Sequence, residues 1–383
     1  MKAIFKKMDK ILLLLMFAFT ILGLVMIWSA SSITAVLAFN LPQNHFFINQ
    51  LVAVTIGWIA GLVILNIKTT TYKFLAPFGM IVAVGSLALL IPYGTIINQS
   101  RRWFDLGLFA IQPSEFAKPL IAVFLAVYFE RIIKRKEVTL NNVIMPFIFV
   151  LVAIGLTAFQ PDFGTAAIIG AIGFGIFMAL PIDMKEIKWL KTIGIITVGG
   201  VGLFIISGGG GILNINQMQR LTFREPCTRY TEATGYQVCN GLIAIANGGL
   251  FGAGLGNSTQ KYLYLPEAHT DFIMPIIIEE LGVIAGAIII IMFIVLLYRV
   301  LKISRNAANL RGSIIAYGVF LMLLAHLFVN FLGVLALIPL TGVSVPFLSY
   351  GGSFYLVVIG SLFLVQRIQI ESNQKKRDIV LND

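Results

Sequence analysis

Residues 262–282, YLYLPEAHTDFIMPIIIEELG, run from a polar part of the chain into a long apolar part. Glu267, His269 and Asp271 lie just before the apolar run, at the point where a membrane-spanning helix would begin. Ionisable residues in membrane segments are costly and are functional by default. The stretch therefore predicts a membrane helix with a polar site at its start.

Asp271 has two interpretations. Its predicted position is the first turn of the helix, where the helix dipole stabilises negative charge, and with Thr270 it could serve as a helix cap. Alternatively, it is an active-site carboxylate at the membrane mouth, where a lipid head group lies. Further into the run, Glu279 and Glu280 must face protein or water rather than lipid.

The composition is that of a membrane protein. Hydrophobic residues make up 58% of the 383 residues and charged residues 12%, whereas soluble domains contain about 25% charged residues. We predict an all-α polytopic fold, one integral membrane domain over residues 1–383, with about ten transmembrane helices of about 20 residues each. The predicted spans are 11–30, 46–65, 74–92, 113–130, 143–159, 164–181, 191–207, 271–298, 313–338 and 353–366. A turn at 160–164 leaves open that the fifth and sixth spans form one re-entrant hairpin.

The distribution of positive charge predicts the topology. With the N-terminus in the cytoplasm, most of the 28 Lys and Arg residues fall on the cytoplasmic side. Both termini are then cytoplasmic, with an outer loop at about 208–270 between spans seven and eight and a cytoplasmic tail at about 367–383. The net charge of +11 follows from this topology, and the loops are too short for a nucleic-acid-binding surface. The basic N-terminal segment resembles a signal peptide, but the long apolar run favours an uncleaved first span.

Both cysteines of the chain, Cys227 and Cys239, fall in the predicted outer loop. A disulfide is permitted outside the membrane, and we favour one over two free thiols. The loop also contains NGGLFGAGLGNS at 247–258. No strand precedes this glycine-rich segment, so it is not interpreted as a nucleotide-binding loop.

A second charged group lies on the same predicted side as Asp271. Arg101 and Arg102 precede Glu115 and Lys118, which are three residues apart and therefore share a helix face. The pair could be a local ion pair that neutralises two costly charges, or the wall of a polar cavity. The arginines and Lys118 also suit a pyrophosphate, and we favour the cavity.

Three further features belong to this picture. Asp162 is predicted to cap the helix that follows it, and its outer position also permits a place near the cavity. His326 and Asn330, one helical turn apart, are interpreted as an interhelical hydrogen-bonding pair. The loop at 338–354 predicts irregular backbone at membrane depth, which is tolerated only where it lines a cavity or is buried in protein.

Four blocks of sequence together resemble the SEDS family of cell-wall proteins. They are RRWFDLG…IQPSEFAK (101–118), QPDFGTA (160–166), GGLFGAGLGNSTQKYLYLPEAHTDFI…EELG (248–282) and PLTGVSVPFLSYGGS (339–353). The likeness covers nearly the whole chain, and the outer-loop blocks are most similar to the cell-division branch. The elongation and sporulation branches share the core motifs and are alternatives. Phe163 stands where many members have Leu, and Phe354 where many have Ser.

The resemblance implies a SEDS-type fold and a peptidoglycan glycosyltransferase. Such proteins polymerise lipid II, an undecaprenyl-pyrophosphate-linked disaccharide-pentapeptide, at the outer face of the bacterial cytoplasmic membrane. The implied partners are a cognate class B penicillin-binding protein and other membrane proteins of the division machinery, at the division septum. The resemblance places the family's essential aspartate at Asp271 and its conserved Glu and Lys at Glu115 and Lys118.

The chemistry that these residues would perform is proton removal and charge stabilisation. Asp271 is the candidate general base, because a sugar hydroxyl must lose a proton as it attacks the anomeric carbon. The candidate substrate-binding residues are Arg101, Arg102, Glu115, Lys118, Asp162, Glu267 and His269. A divalent cation, Mg or Mn, bridged by Asp271 could also stabilise the leaving pyrophosphate, and no organic cofactor is expected.

The competing class is a lipid II flippase. Carriers often contain internal repeats with broken helices in both halves, and a flippase needs polar groups along the whole crossing. Here no repeat is evident and the polar cluster lies on one side, so the sequence favours the enzyme.

Overall fold

The computed structural model describes residues 5–97, 100–105, 107, 110–206 and 225–382. Residues 208–224, the first part of the predicted outer loop, lie outside the described residues. The described helices are α1 (Lys10–Leu37), α2 (His45–Asn66), α3 (Tyr72–Tyr93), α4 (Pro113–Lys134), α5 (Leu140–Phe159), α6 (Phe163–Ala179), α7 (Lys185–Ile206), α8 (Ala233–Gly248), α9 (Ile273–Arg305), α10 (Leu310–Val334) and α11 (Gly352–Asn382). The predicted all-α, multi-pass architecture is confirmed by these helices.

Each predicted span falls mainly within a helix of its own, while α8 lies in the predicted outer loop. In the described part of the chain, seven helices are long and apolar enough to cross a membrane. The helices α4, α6 and α7 are not among the seven, and α6 has only 17 residues. The prediction of about ten spans therefore stays a prediction. With 20 residues, α5 is long enough to cross by itself, which favours separate fifth and sixth spans over a re-entrant hairpin.

A small antiparallel sheet, which the sequence analysis did not predict, precedes α4. Its strands are β1 (Thr95–Ile97), β2 (Ser100–Asp105) and β3 (Ala110–Ile111), in the order β1-β2-β3. Successive side chains of a strand point to opposite faces, so β2 separates its two arginines. Arg101 Nη1 donates to the Ile91 carbonyl at 2.6 Å, whereas Arg102 Nη2 donates to the Pro161 carbonyl at 2.5 Å.

The helix α9 is interrupted near its start. Gly282 has φ 88° and ψ 166°, which breaks the helical hydrogen-bond ladder. A glycine-rich turn supplies the missing partners: Ala253 N–H donates to the Glu279 carbonyl, and Val283 N–H donates to the Gly249 carbonyl, both at 2.9 Å. The NGGLFGAGLGNS segment therefore completes the backbone of a broken membrane helix, where unsatisfied polar groups would be costly.

Gly282→Ala is expected to destabilise the protein by about 3 kcal/mol, because few other residues adopt this backbone conformation and the added Cβ would lie 2.3 Å from the Leu250 carbonyl oxygen. Thermal unfolding of the purified protein in detergent measures the effect. Gly155→Ala in α5 is the matched control, since a Cβ there meets nothing within 4 Å. Equal unfolding midpoints for the two variants would show that the break in α9 does not depend on glycine.

The described part of the outer loop is fixed to α8 by a disulfide. Cys227, in a short 3₁₀ turn at Pro226–Arg229, is bonded to Cys239 of α8 across a separation of 12 residues. Closing a loop of this length restricts the unfolded chain. The disulfide therefore ties the stretch that leads into α8 to that helix.

The polar segments meet at one end of the helix bundle, which we call the Asp271 end. The strand β2 reaches the last residues of α3 through Arg101, and the start of α4 contacts the start of α11, where Gln112 N–H donates to Ser353 Oγ at 3.2 Å. Asn330, near the end of α10, donates to the Asp271 carbonyl at 2.7 Å. The starts of α4, α6, α9 and α11 and the ends of α3 and α10 therefore surround one site.

Candidate active site

Asp271 is buried, with 6% of its surface exposed, two residues before α9 begins. The cap residue of α9 is Phe272, and no side chain caps this helix. Both the predicted position in the first turn and the capping interpretation of Asp271 are therefore wrong. The carboxylate lies outside the helix and accepts a hydrogen bond from Thr270 Oγ1 at 3.2 Å.

The surroundings of Asp271 favour its protonated form. Burial raises the pKa of Asp271 from 3.8 to about 7, and the nearby Glu267 carboxylate adds to the rise. The Thr270 hydroxyl connects the two acids, since Oγ1 lies 2.6 Å from Glu267 Oε2 and 3.2 Å from Asp271 Oδ1. A carboxylate whose pKa lies near neutral pH can both accept and release a proton, as a general base requires.

The other two residues of the predicted cluster differ in exposure. Glu267 is exposed and has φ 54°. His269 is buried at 7% exposure, between the rings of Phe46 at 4.7 Å and Tyr350 at 5.6 Å. Burial lowers the pKa of His269, against the opposing effect of Glu267, so the imidazole is neutral. We infer that His269 anchors the segment by packing, while Glu267 faces the solvent side of the site.

Glu115 and Lys118 form a buried ion pair, with Lys118 Nζ 2.7 Å from Glu115 Oε2. Lys118 has no exposed surface, and its Nζ also lies 2.7 Å from His326 Nε2. An ammonium group has only protons to donate, so Nε2 accepts and Nδ1 carries the ring proton. Nδ1 then donates to the Ser344 carbonyl at 3.1 Å. The local ion-pair interpretation therefore describes this arrangement. The pair links α4 through α10 to the loop at 338–354, which we call the last outer loop after its predicted side of the membrane.

The last outer loop, at 338–354, closes the site around Asp271. Ser349 Oγ donates to the Thr270 carbonyl at 2.6 Å, and Asn330 Nδ2 donates to both the Val343 and Asp271 carbonyls at 2.7 Å. Gly342 has φ 67°, and a Cβ at this position would lie 3.6 Å from Asp271 Oδ2. The loop thus holds the Asp271 backbone in place and approaches its carboxylate at a glycine.

His326 and Asn330 do not pair with each other within the described hydrogen bonds. The first binds Lys118 and Ser344, and the second binds the Asp271 and Val343 carbonyls. The interpretation as an interhelical hydrogen-bonding pair is therefore confirmed for His326, which contacts Lys118 of α4, whereas Asn330 binds carbonyl groups outside the helices. Their part in the site was not predicted from the sequence. Polar side chains inside an apolar span were the signal that could have found them.

Asp162 and Arg102 lie at the edge of the same site. Asp162 Oδ1 accepts from Thr165 N–H at 3.2 Å, so the predicted cap of α6 is confirmed. Arg102 Nη1 lies 3.9 Å from the same oxygen, and a quarter of its side chain is exposed. The start of α6 also contacts the last outer loop, since a Cβ at Gly164 would lie 2.7 Å from Val343. Arg102 is therefore better placed than Arg101 to contact a ligand at this site.

Glu279 and Glu280 face protein, as predicted, with 1% and 0% exposure. Glu280 Oε1 lies 2.8 Å from Lys261 Nζ and accepts from Ser29 Oγ at 2.7 Å. Glu279 accepts from the hydroxyl groups of Ser258 and Thr259. These contacts hold residues 255–261, which we call the outer-loop segment, against α1 and α9 beside the site.

The carboxylates at the site offer a divalent cation two ligands. No cluster of three or more His, Cys, Asp and Glu side chains suited to a metal occurs among the described residues. Asp271 and Glu267, which share the Thr270 hydroxyl, are the candidate ligands. Mg²⁺ commonly binds through one or two carboxylates together with substrate phosphates, so these residues fit a cation that arrives with a pyrophosphate.

Fold and site together define a multi-pass membrane protein with a buried, proton-accepting carboxylate at one end of its helix bundle. The chain belongs to the family described as "Cell cycle protein", which groups FtsW, RodA and SpoVE and whose model matches residues 9–374. The SEDS resemblance seen in the sequence is thereby confirmed.

Relatives match the chain over nearly its full length. The "Probable peptidoglycan glycosyltransferase FtsW" of Bacillus subtilis is 36% identical over 95% of this chain and 93% of its own length. "Stage V sporulation protein E" of the same organism is 36% identical over 94% of this chain and 97% of its own length. Both the division and the sporulation branches are therefore similar to this chain.

Solved structures share the fold. A structure on "structural coordination of polymerization and crosslinking by a peptidoglycan synthase complex" has a TM-score of 0.76 and 23% identity, and the match covers 96% of this chain and 99% of that one. Rod shape determining protein RodA of Thermus thermophilus has a TM-score of 0.67 and 24% identity, over 94% of this chain and 96% of that one. The SEDS-type fold is thus shared.

Proposed function

We propose that this chain is a peptidoglycan glycosyltransferase that joins lipid II units into glycan strands at the outer face of the cytoplasmic membrane. The observation that carries the proposal is Asp271, a buried carboxylate whose pKa is raised to about 7, in a chain 36% identical to a probable peptidoglycan glycosyltransferase. An unperturbed aspartate would be a much weaker base at neutral pH.

The reaction forms one bond and breaks one. A sugar hydroxyl of one substrate attacks the anomeric carbon of the other, and its proton passes to the Asp271 carboxylate. The bond between that carbon and the lipid pyrophosphate breaks, and the pyrophosphate leaves with the electron pair. We assign to Arg102, which is partly exposed beside Asp162, the stabilisation of the negative charge that develops there.

A divalent cation would be held by Asp271 and Glu267 together with the substrate pyrophosphate. When bound, it supplies positive charge to the leaving group. Lys118 has a different role from Arg102, because its buried amine is engaged by Glu115 and His326. We assign Glu115 and Lys118 to positioning the last outer loop rather than to contact with the substrate.

An apolar groove beside the site suits the lipid part of the substrate. A cavity of about 640 Å³ lies between α1, α2 and the outer-loop segment, with Trp28, Phe47 and Leu255 among its walls. Phe47 follows Phe46, which packs on His269. A polyprenyl chain in this groove would bring its head group towards Asp271.

The same comparisons support a proposal for the setting of the enzyme. We propose a class B penicillin-binding protein as partner, because the fold is shared with a chain of a peptidoglycan synthase complex that couples polymerization to crosslinking. Other division membrane proteins, cytoplasmic termini and the division septum complete the proposal. A sporulation role is the second candidate, since the sporulation relative is as similar as the first division relative, at 36% identity.

Polymerisation of labelled lipid II by the purified protein with its candidate transpeptidase tests the function. Long glycan strands are expected from the native complex and none from Asp271→Ala. Scrambling of lipid II across liposomes, with strands from neither protein, would overturn the proposal in favour of a flippase.

Glu267→Gln is expected to shift the acidic limb of the polymerisation rate to lower pH. The base must be ionised, so the rate falls as pH drops through the pKa of Asp271, and removing the Glu267 charge lowers that pKa. Initial rates between about pH 5.5 and 8.5 measure the shift, at saturating Mg²⁺ because the change also removes a proposed cation ligand. Glu232→Gln, which removes a carboxylate paired with Arg229 in the outer loop, is the control. A limb that stays in place would exclude Glu267 as a cause of the raised pKa.

A further inference from the structure

A second groove lies at the end of the bundle opposite Asp271. It has a volume of about 490 Å³ and lies between the start of α3 and the end of α4. The other end of α3 is held by Arg101, and α4 begins near Asp162, so these two helices cross the bundle in opposite directions. The positive-inside pattern predicts that this groove faces the cytoplasmic leaflet.

The groove combines apolar walls with a basic rim. Phe74, Pro77 and Phe124 form part of its walls, while Lys73 and Arg131 lie on its rim. Phe74 is 83% exposed, so its ring is available to a lipid chain. Apolar walls beside two basic side chains match the acyl chain and the phosphate of a phospholipid.

The one carboxylate in the groove does not neutralise this rim. Glu130 is buried and pairs with Lys134 at 2.9 Å and with the buried Arg311 at 3.4 Å. Among the ion pairs of the described residues, none involves Lys73 or Arg131. Both side chains are exposed. Two positive charges are therefore left for an external anion.

We propose that this groove binds an anionic phospholipid of the cytoplasmic leaflet, with its phosphate between Lys73 and Arg131 and its acyl chain against Phe74. Basic residues near an anionic membrane surface attract its head groups, and a guanidinium forms paired hydrogen bonds to a phosphate. The lipid would bridge α3 and α4. The proposal concerns a different end of the protein and does not rest on the proposed enzymatic function.

Native mass spectrometry of the full chain tests the proposal. Phosphatidylglycerol is titrated against phosphatidylcholine, and glycerol phosphate serves as the soluble competitor. The native protein is expected to retain phosphatidylglycerol preferentially, and Lys73→Gln/Arg131→Gln is expected to weaken its binding about tenfold. Phe74→Ser is expected to weaken the binding of phosphatidylglycerol, and the variant should still show no affinity for glycerol phosphate.

Lys302→Gln/Arg305→Gln is the matched control, because it removes two exposed charges from the end of α9, at the same end of the bundle. This control should bind phosphatidylglycerol as the native protein does. Equal losses in both double variants would mean general surface charge and would overturn the proposal. Competition by glycerol phosphate alone would identify a phosphate site instead. If Lys73→Gln/Arg131→Gln does not fold, Lys73→Arg/Arg131→Lys replaces it, and its failure to keep the preference would also count against the proposal.

Discussion

Asp271→Asn is expected to abolish glycan polymerisation and, at pH 8, to raise the stability of the protein. The loss of a general base slows a reaction by about 10²- to 10⁴-fold. The gain in stability has a separate cause. Asp271 is buried and its pKa is raised to about 7. At pH 8 the folded protein therefore holds an ionised carboxylate in surroundings that disfavour its charge, and this lowers the stability of the folded state.

The pH dependence of the stability gain follows from the direction of this shift. The folded pKa lies above the ordinary value of 3.8, so the native protein loses stability as pH rises from about 4 to about 7 and stays at that lower level above. A shift of this size corresponds to at most about 4 kcal/mol. The advantage of Asp271→Asn should therefore be present at pH 8 and vanish near pH 4. Thermal unfolding across this range, with lipid II polymerisation on the same samples, measures both effects.

Asp162→Asn is the control for this experiment. It also removes a buried carboxylate charge at the same end, but asparagine caps a helix as well as aspartate does, and Asp162 caps α6. We expect little change in stability from it. If Asp271→Asn were inactive and also less stable at pH 8, Asp271 would have a structural role, and its assignment as the base would fail.

The sequence was sufficient for the helices because each span must satisfy its backbone hydrogen bonds internally and is apolar over its whole length. It was also sufficient to place Asp271 next to the start of a long apolar helix. The exact start of α9 could not be predicted. Phe272 occupies the cap position, and no side chain caps the helix. Hydrogen bonds from Asn330 and Ser349 hold the preceding turn instead.

The remaining differences arise from contacts between distant parts of the chain. The three strands β1, β2 and β3 are short and lie between apolar helices, so their pairing could not be predicted from the sequence. The sequence grouped Arg101 with Arg102, but strand geometry separates them. His326 and Asn330 share a helix face, yet their partners are 18 and 13 residues further along. Only the folded loop shows that these side chains hold the site together.

Lys118→Met is expected to destabilise the protein by about 3–5 kcal/mol, because it leaves a buried carboxylate without its partner. Glu115 is 5% exposed, and Lys118 Nζ is 2.7 Å from its carboxylate. Replacing both members of a buried pair is often close to neutral. Glu115→Gln/Lys118→Met should therefore recover most of the stability that Lys118→Met loses, as measured by thermal unfolding.

The activity of the double variant then separates positioning from substrate contact. If Lys118 acts through His326 and Ser344 on the last outer loop, losing one such hydrogen bond costs about 1 kcal/mol, and the folded double variant should polymerise lipid II within about tenfold of the native rate. If Lys118 instead reached the pyrophosphate, the double variant would be folded and as inactive as Asp271→Asn. Arg102→Gln on the same background adds the missing comparison. This substitution removes the partly exposed cation beside Asp162. We expect it to lower the polymerisation rate more than Glu115→Gln/Lys118→Met does.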